Sequence, residues 1–234
     1  MKIPISFLTI SLLGMTLQVG SAADITGTVT LKGTPPPEKN IDVTPECGSA
    51  HKGPMKTRFY AVNGSGQLAD VVVALKGVPA KSSGASAKPF LVDQIGCEYV
   101  PYVFAVQTGQ KVEVKNSDPF MHNVHFLPND SSKEVNKAQP AKSSNLEFTY
   151  GKPEHFAKFK CDVHGWMYTY MSVFDHPYFS VTDNNGAYKI ANVPPGKYTL
   201  EVYHRKAAPA AAPVTKEIEV KDSATTADVV LEVK

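Results

Sequence analysis

Short runs of alternating apolar and polar residues dominate this chain, and glycine, proline, asparagine or aspartate interrupts them roughly every ten residues, the spacing of stacked short strands. Such alternation suits strands with one face buried. The runs are rich in valine, threonine, tyrosine and phenylalanine, and candidate strands fall at 25–31, 70–75, 102–107, 111–115, 123–126, 146–150, 156–161, 170–174, 179–182, 187–190, 196–203, 216–220 and 226–233. No long amphipathic helix interrupts them, so the expected fold class is all-β.

Turn chemistry sharpens this reading. Asp183-Asn184-Asn185-Gly186 predicts a hairpin between two short strands, because its tip needs positive φ. Pro194-Pro195-Gly196 precedes the strand that ends at Tyr203. The small, polar stretches 79–88 and 207–213 read as flexible connections.

The first 23 residues read as a secretion signal, with Lys2 as the charged start, an apolar run to Leu17 and the small residues Ser21-Ala22-Ala23 at the cleavage site. The run is shorter than the ~20 apolar residues a spanning helix needs, so export to the periplasm or medium is expected, without stable membrane insertion after removal of the signal. The 24 basic and 22 acidic residues nearly cancel. That balance leaves no footprint for nucleic acid and no basic block for an anionic membrane.

Three cysteines in an exported chain leave one unpaired. Cys161 stands among other metal-ligand types, which leaves Cys47 and Cys97 for a disulfide. The alternative, one metal held by all three, finds no second ligand type close to Cys47 or Cys97 beyond His51 on a Gly/Ser turn.

The richest chemistry lies in Cys161-Asp162-Val163-His164-Gly165-Trp166-Met167. A thiolate, an imidazole and a thioether on one short loop are three of the four ligands of a blue-copper site, a near-trigonal His₂Cys plane with a weak axial methionine. The run Phe120-Met121-His122-Asn123-Val124-His125 offers the missing imidazole. His122 is the candidate, since His125 lies an odd number of residues away and points to the other face of a strand. Met171 is a weaker axial candidate than Met167. Zinc also takes nitrogen and sulfur donors, but its sites lack methionine. The expected cofactor is therefore one type 1 copper.

At these residues the chain resembles the cupredoxins. Gly109-Gln110-Lys111-Val112-Glu113-Val114-Lys115-Asn116, His122-Asn123-Val124-His125-Phe126 and Cys161-x-x-His164-x-x-Met167 carry the likeness, and the short ligand loop most resembles that of amicyanin. The resemblance implies that Asn123 ties the first histidine segment to the cysteine loop. A second likeness, to the carboxypeptidase regulatory-like, transthyretin-like β-sandwich, rests on Ile25-Thr26-Gly27-Thr28-Val29 near the start and on Val181-Thr182-Asp183 through Pro194-Pro195-Gly196-Lys197-Tyr198-Thr199-Leu200 near the end. The expected organisation is a signal at 1–23, a first sandwich part at 24–89, a copper module at 90–175 and a second sandwich part at 176–234. This is a cupredoxin Greek-key β-sandwich nested in or next to a transthyretin-like one.

The function expected from these features is single-electron carriage by a protein that is not an enzyme. The His164 edge would be the electron port, with Phe120, Met121, Gly165 and Trp166 as an apolar docking patch. A c-type cytochrome, an oxidase or, by the amicyanin likeness, a quinoprotein dehydrogenase would be the partner. A copper-binding carrier or sensor that docks onto a cell-envelope assembly is the other reading.

Overall fold

The alternation near the start of the chain folds as a strand over Ala23–Lys32 that buries Ala23, Ile25 and Val29. It belongs to a computed structural model that describes residues 21–51, 53–129, 133–206 and 212–233. Most of the expected secretion signal, residues 1–20, and most of the connection at 207–213 lie outside the described residues.

Strands are numbered β1 to β17 in chain order, and among the described residues they form four sheets. In one sheet β1 (Ala23–Lys32) runs antiparallel to β13 (Ala187–Val193) and parallel to β16 (Thr225–Thr226) and β17 (Val229–Glu232). A second sheet has the order β12 (Phe179–Val181), β2 (Val72–Lys76), β14 (Gly196–Tyr203), β15 (Val214–Val220), all antiparallel. Side chains of these two sheets share one core that includes Ile25, Val29, Val73, Leu75, Ile190, Leu200, Val202 and Leu231. Residues from both ends of the chain thus pack together.

The middle of the chain supplies the other two sheets. The five-stranded one has the order β5 (Val103–Gln107), β11 (Tyr168–Phe174), β10 (Glu154–Lys160), β7 (His122–Leu127), β8 (Val135–Gln139). The four-stranded one has the order β4 (Glu98–Val100), β3 (Phe90–Ile95), β6 (Lys111–Asn116), β9 (Leu146–Thr149). Their shared core holds Val92, Val112, Val114, Phe104, Phe126 and Phe159. The protein is an all-β sandwich fold, as the alternation predicts.

Strand β2 explains how the two cores meet. Its Val73 and Leu75 enter the core of the chain ends, while Val72 and Ala74 pack with Val103, Ala105, Phe156, Phe174 and Tyr203. A strand buried on both faces reads as a continuous apolar run, which is what Val71-Val72-Val73-Ala74-Leu75 is.

Several local expectations are corrected. The turn at 183–186 forms, with the Gly186 N–H bonded to the Asp183 carbonyl and Gly186 at φ 65°. Its flanking strands β12 and β13, however, belong to different sheets, so it is a corner between sheets and not a hairpin within one. The stretch at 79–88 is not a free connection. Ser82 donates to the Thr108 carbonyl at 2.6 Å, and Gly84 sits so close to that carbonyl that a Cβ would lie 2.1 Å from its oxygen. Strands β3, β4 and β8 lie outside the predicted set, because β3 and β4 are joined by a two-residue turn and β8 is mostly polar and exposed. The short helix α1 (Pro45–Ala50) is likewise unpredicted.

Candidate metal centre

Strand β10 delivers Cys161. Ala157, Phe159 and Cys161 share one parity and are buried, whereas Lys158 and Lys160 are half-exposed. A bulge at Phe156, whose φ is 55°, turns that ring into the neighbouring core and sets the parity of residues 157–161. The loop after Cys161 is closed by two backbone bonds, Met167 N–H to the His164 carbonyl and Cys161 N–H to the Met167 carbonyl, each 2.9 Å. The adjacent strand β7 begins at His122.

These elements bring three donor atoms together. His122 Nδ1 lies 3.0 Å from His164 Nδ1, and Cys161 Sγ lies 3.9 Å from the first and 3.7 Å from the second. A point equidistant from all three is roughly 2.1 Å from each, which matches the ~2.0–2.3 Å bonds that nitrogen and thiolate sulfur make to a first-row ion. All three residues are buried.

The far nitrogen of His122 fixes the tautomer. Its Nε2–H donates to Asp118 Oδ2 at 2.8 Å, so the lone pair of Nδ1 faces the other two donors. Asp118 is held in turn by the Gly96 N–H at 2.7 Å and the Cys97 N–H at 2.9 Å. Burial and the neighbouring His122 hold the His164 pKa below the ordinary histidine value, favouring the neutral imidazole that a metal needs.

Asn123 spans the two segments. Its Oδ1 accepts the Asp162 N–H at 2.6 Å and the Cys161 thiol at 3.3 Å, and its Nδ2 donates to Asp162 Oδ2 at 3.1 Å. Hydrogen bonds from Lys160, then His125, keep the Asp162 carboxyl well below the usual carboxylate range. His125 points away from the donor triangle and bonds Asp162 and Glu134.

Met167 is buried in the same apolar cluster as Cys161. Met171 is buried too, but it pairs with Ala157, four residues before Cys161, which places it about 13 Å along the strand from the sulfur.

Two expectations about the surface are corrected. His164 is only 7% exposed, less open to water than a place on a surface loop implies. Cys47 and Cys97 form a disulfide, and Phe120 and Trp166 pack against that bridge with Ile41, Val43 and Met55. Of the expected docking patch Met121 and Gly165 are exposed, beside Val163, whereas Phe120 and Trp166 are half-buried. Further off, His155 is half-buried and stacks on Tyr203, with ring centroids 4.3 Å apart.

Sequence reasoning missed Asp118 and the residues that cover His164. The break Asn116-Ser117-Asp118-Pro119 reads only as the end of a strand, although an acid four residues before a ligand histidine is a usable signal for an outer partner.

No protein-family model and no curated protein matches the chain. Among solved structures it is similar to a copper-containing nitrite reductase from Thermus scotoductus SA-01, at 20% identity and TM-score 0.35, over 43% of this chain and 25% of that one. The chain therefore spans a quarter of the reductase's length. It is also similar to an oxidised proline-to-alanine mutant of amicyanin, at 17% identity and TM-score 0.33, and to an oxidised proline-to-glycine mutant, at 19% and 0.34. Each amicyanin match covers 43% of this chain and 97% of the other. The reductase is an enzyme, and this finding overturns the expectation of a chain that is not one.

Proposed function

We propose that this protein is an exported type 1 copper protein of the cupredoxin kind that carries single electrons between redox partners. The reading is supported above all by the triangle of His122 Nδ1, His164 Nδ1 and Cys161 Sγ, with sides of 3.0, 3.7 and 3.9 Å. A copper ion held by these residues would supply a one-electron couple shared between a soft thiolate and two imidazoles.

The chain's own residues do the rest. Asp118 accepts the Nε2 proton of His122 and keeps Nδ1 free. Asn123 holds the Cys161-Asp162 corner against β7. Met167 would be the fourth, thioether donor, and Phe104, Phe126 and Phe159 pack in the same buried cluster and keep water from the sulfur side. Metal uptake would displace the Cys161 thiol proton, while the proton between the two Nδ1 atoms would move to His164 Nε2, so one proton per metal would be released.

In this reading residues 90–175 form the copper module, and 24–89 with 176–234 form a regulatory-like sandwich around it. Partners are a c-type cytochrome, an oxidase or a quinoprotein dehydrogenase, met in the periplasm or outside the cell. Exposed Met121 and Val163, 49% and 50% accessible, flank the ligand segments and are the contact surface we assign to such an encounter. A copper carrier or sensor is the second reading, favoured by the burial of His164.

Titration of the purified chain with Cu(II) tests both. An intense thiolate-to-copper visible band, a narrow EPR hyperfine splitting and a reversible potential, all lost in Cys161→Ser, are expected of the electron carrier. Copper that binds as Cu(I) and leaves without that spectrum favours the carrier of metal, and no binding at all removes both readings.

A further inference from the structure

The segment of residues 41–51 and 53–55 does something that the ligand loop alone does not require. It leaves the sheets, makes the short helix α1, and is closed at its base by the bond from the Ile41 N–H to the Met55 carbonyl at 2.9 Å. Cys47, at its centre, is bonded to Cys97 in the two-residue turn between β3 and β4. Both residues of that turn, Gly96 and Cys97, have left-handed backbones, with φ of 64° and 57°.

This disulfide lies directly against the metal centre. Sulfur atoms of Cys47 and Cys97 and a ring nitrogen of His164 all lie within 4.8 Å of one another, and Cys97 Sγ stands in the same relation to Asp118 and His122. Phe120 and Trp166 flank the contact, with ring centroids 6.0 and 5.5 Å from that of His164. His164 therefore stays buried although its loop neighbours Val163 and Gly165 are exposed.

We propose that the segment of residues 41–51 and 53–55 is a disulfide-locked lid on the His164 side of the metal centre, which blocks the exchange of the bound ion with solvent. The inference rests on the copper reading above. The physical reason is that chelators and water reach a buried metal through its most accessible ligand edge. Here that edge faces a covalently anchored wall: opening it requires the bridge to break or the whole segment to unpack from Met55, Phe120 and Trp166. The same wall slows entry, so oxidised apoprotein takes up copper more slowly than protein in which the bridge has not formed.

The test compares the full chain with a Cys47→Ser/Cys97→Ser double variant and with Met55→Ala, which loosens the lid but keeps the bridge. Copper-loaded proteins are mixed with excess EDTA and the loss of the visible band is followed, while apoproteins are treated with diethyl pyrocarbonate and modification of His164 is mapped by mass spectrometry. We expect copper release at least tenfold faster in the double variant and intermediate in Met55→Ala, with His164 modified in the same order. Equal release rates and equal His164 reactivity in all folded proteins overturn the lid. Should the double variant fail to fold, unchanged release and reactivity in Met55→Ala overturn it alone. Should the wild type bind no copper, the copper reading falls, and the His164 modification pattern still decides whether the segment is a lid.

Discussion

The Asp118 carboxylate and the His122 imidazole are bonded at 2.8 Å, with their side chains 4% and 0% exposed. Asp118 also takes two backbone N–H groups from the turn that carries Cys97. One carboxylate thus joins the disulfide turn to a candidate ligand. Asp118→Ala leaves these donors unpaired and frees the His122 ring to rotate or change tautomer. Copper affinity is expected to fall by ~10–100-fold, the usual range for losing an outer partner of a ligand histidine. Competition titration against a chelator measures it, and an affinity within twofold of wild type contradicts the role given to Asp118.

Met167→Leu replaces a buried thioether with an apolar group of similar volume, so the fold should lose less than ~1.5 kcal/mol. Copper is expected to remain bound, with a higher reduction potential, because a weak donor to Cu(II) is gone. Voltammetry reads the change. An unmoved potential excludes Met167 as axial ligand, and the register that pairs Met171 with Ala157 leaves that methionine out of reach as a substitute.

Phe159 is the hub of the aromatic core behind Cys161, with ring centroids 5.0 Å from Phe126, 5.9 Å from Phe104 and 6.1 Å from both Phe148 and Tyr150. Phe159→Ala opens a cavity two residues from the thiol, and a loss of about 3–5 kcal/mol is expected. Urea denaturation of apoprotein tests this. A loss below 1 kcal/mol, on the order of a surface change, means the core collapses around the gap.

Burial, reinforced by Arg205, lowers the pKa of His204 to about 4, and burial also lowers those of His155 and His176. The unfolded chain binds protons at these positions near the ordinary value of 6.5, where the folded chain does not. Stability is therefore full above that pH and falls as pH drops from 6.5 toward 4, by up to ~3 kcal/mol for His204 alone. Denaturant midpoints of apoprotein across this window check it, and His204→Gln should flatten part of the slope. A stability that rises on acidification contradicts the sign.

His125 works in the opposite sense. Burial opposes its charge, but hydrogen bonds to Glu134 and Asp162 outweigh that and raise its pKa. Its contribution is present at lower pH and is lost as pH rises through the raised value. His125→Gln should therefore cost stability at pH 6 and little at pH 9, as read from thermal melts; an equal loss at both values contradicts the assignment.

Local patterning made much of this protein readable from its residues. Alternation marks β1, β6, β10 and β14, because a strand with one buried face repeats every second residue. The ligand-type side chains of Cys161, His164 and Met167 lie on one loop, so their spacing survives in the chain. Elimination also paired Cys47 with Cys97, as the disulfide shows. The features that stayed hidden depend on segments distant in the chain. The order of strands in four sheets, the bulge at Phe156 and the two-sided burial of β2 are set by partners that no local window contains. Asp118 acquires its meaning only when the Gly96-Cys97 turn donates to it and His122 swings over it. The burial of His164 was likewise undecided by its own loop, whose neighbours are exposed. It comes from a segment more than a hundred residues earlier, pinned over the ring by one covalent bond. Periodicity and ligand chemistry are local properties and can be read along the chain, whereas solvent access is decided by whatever packs on top.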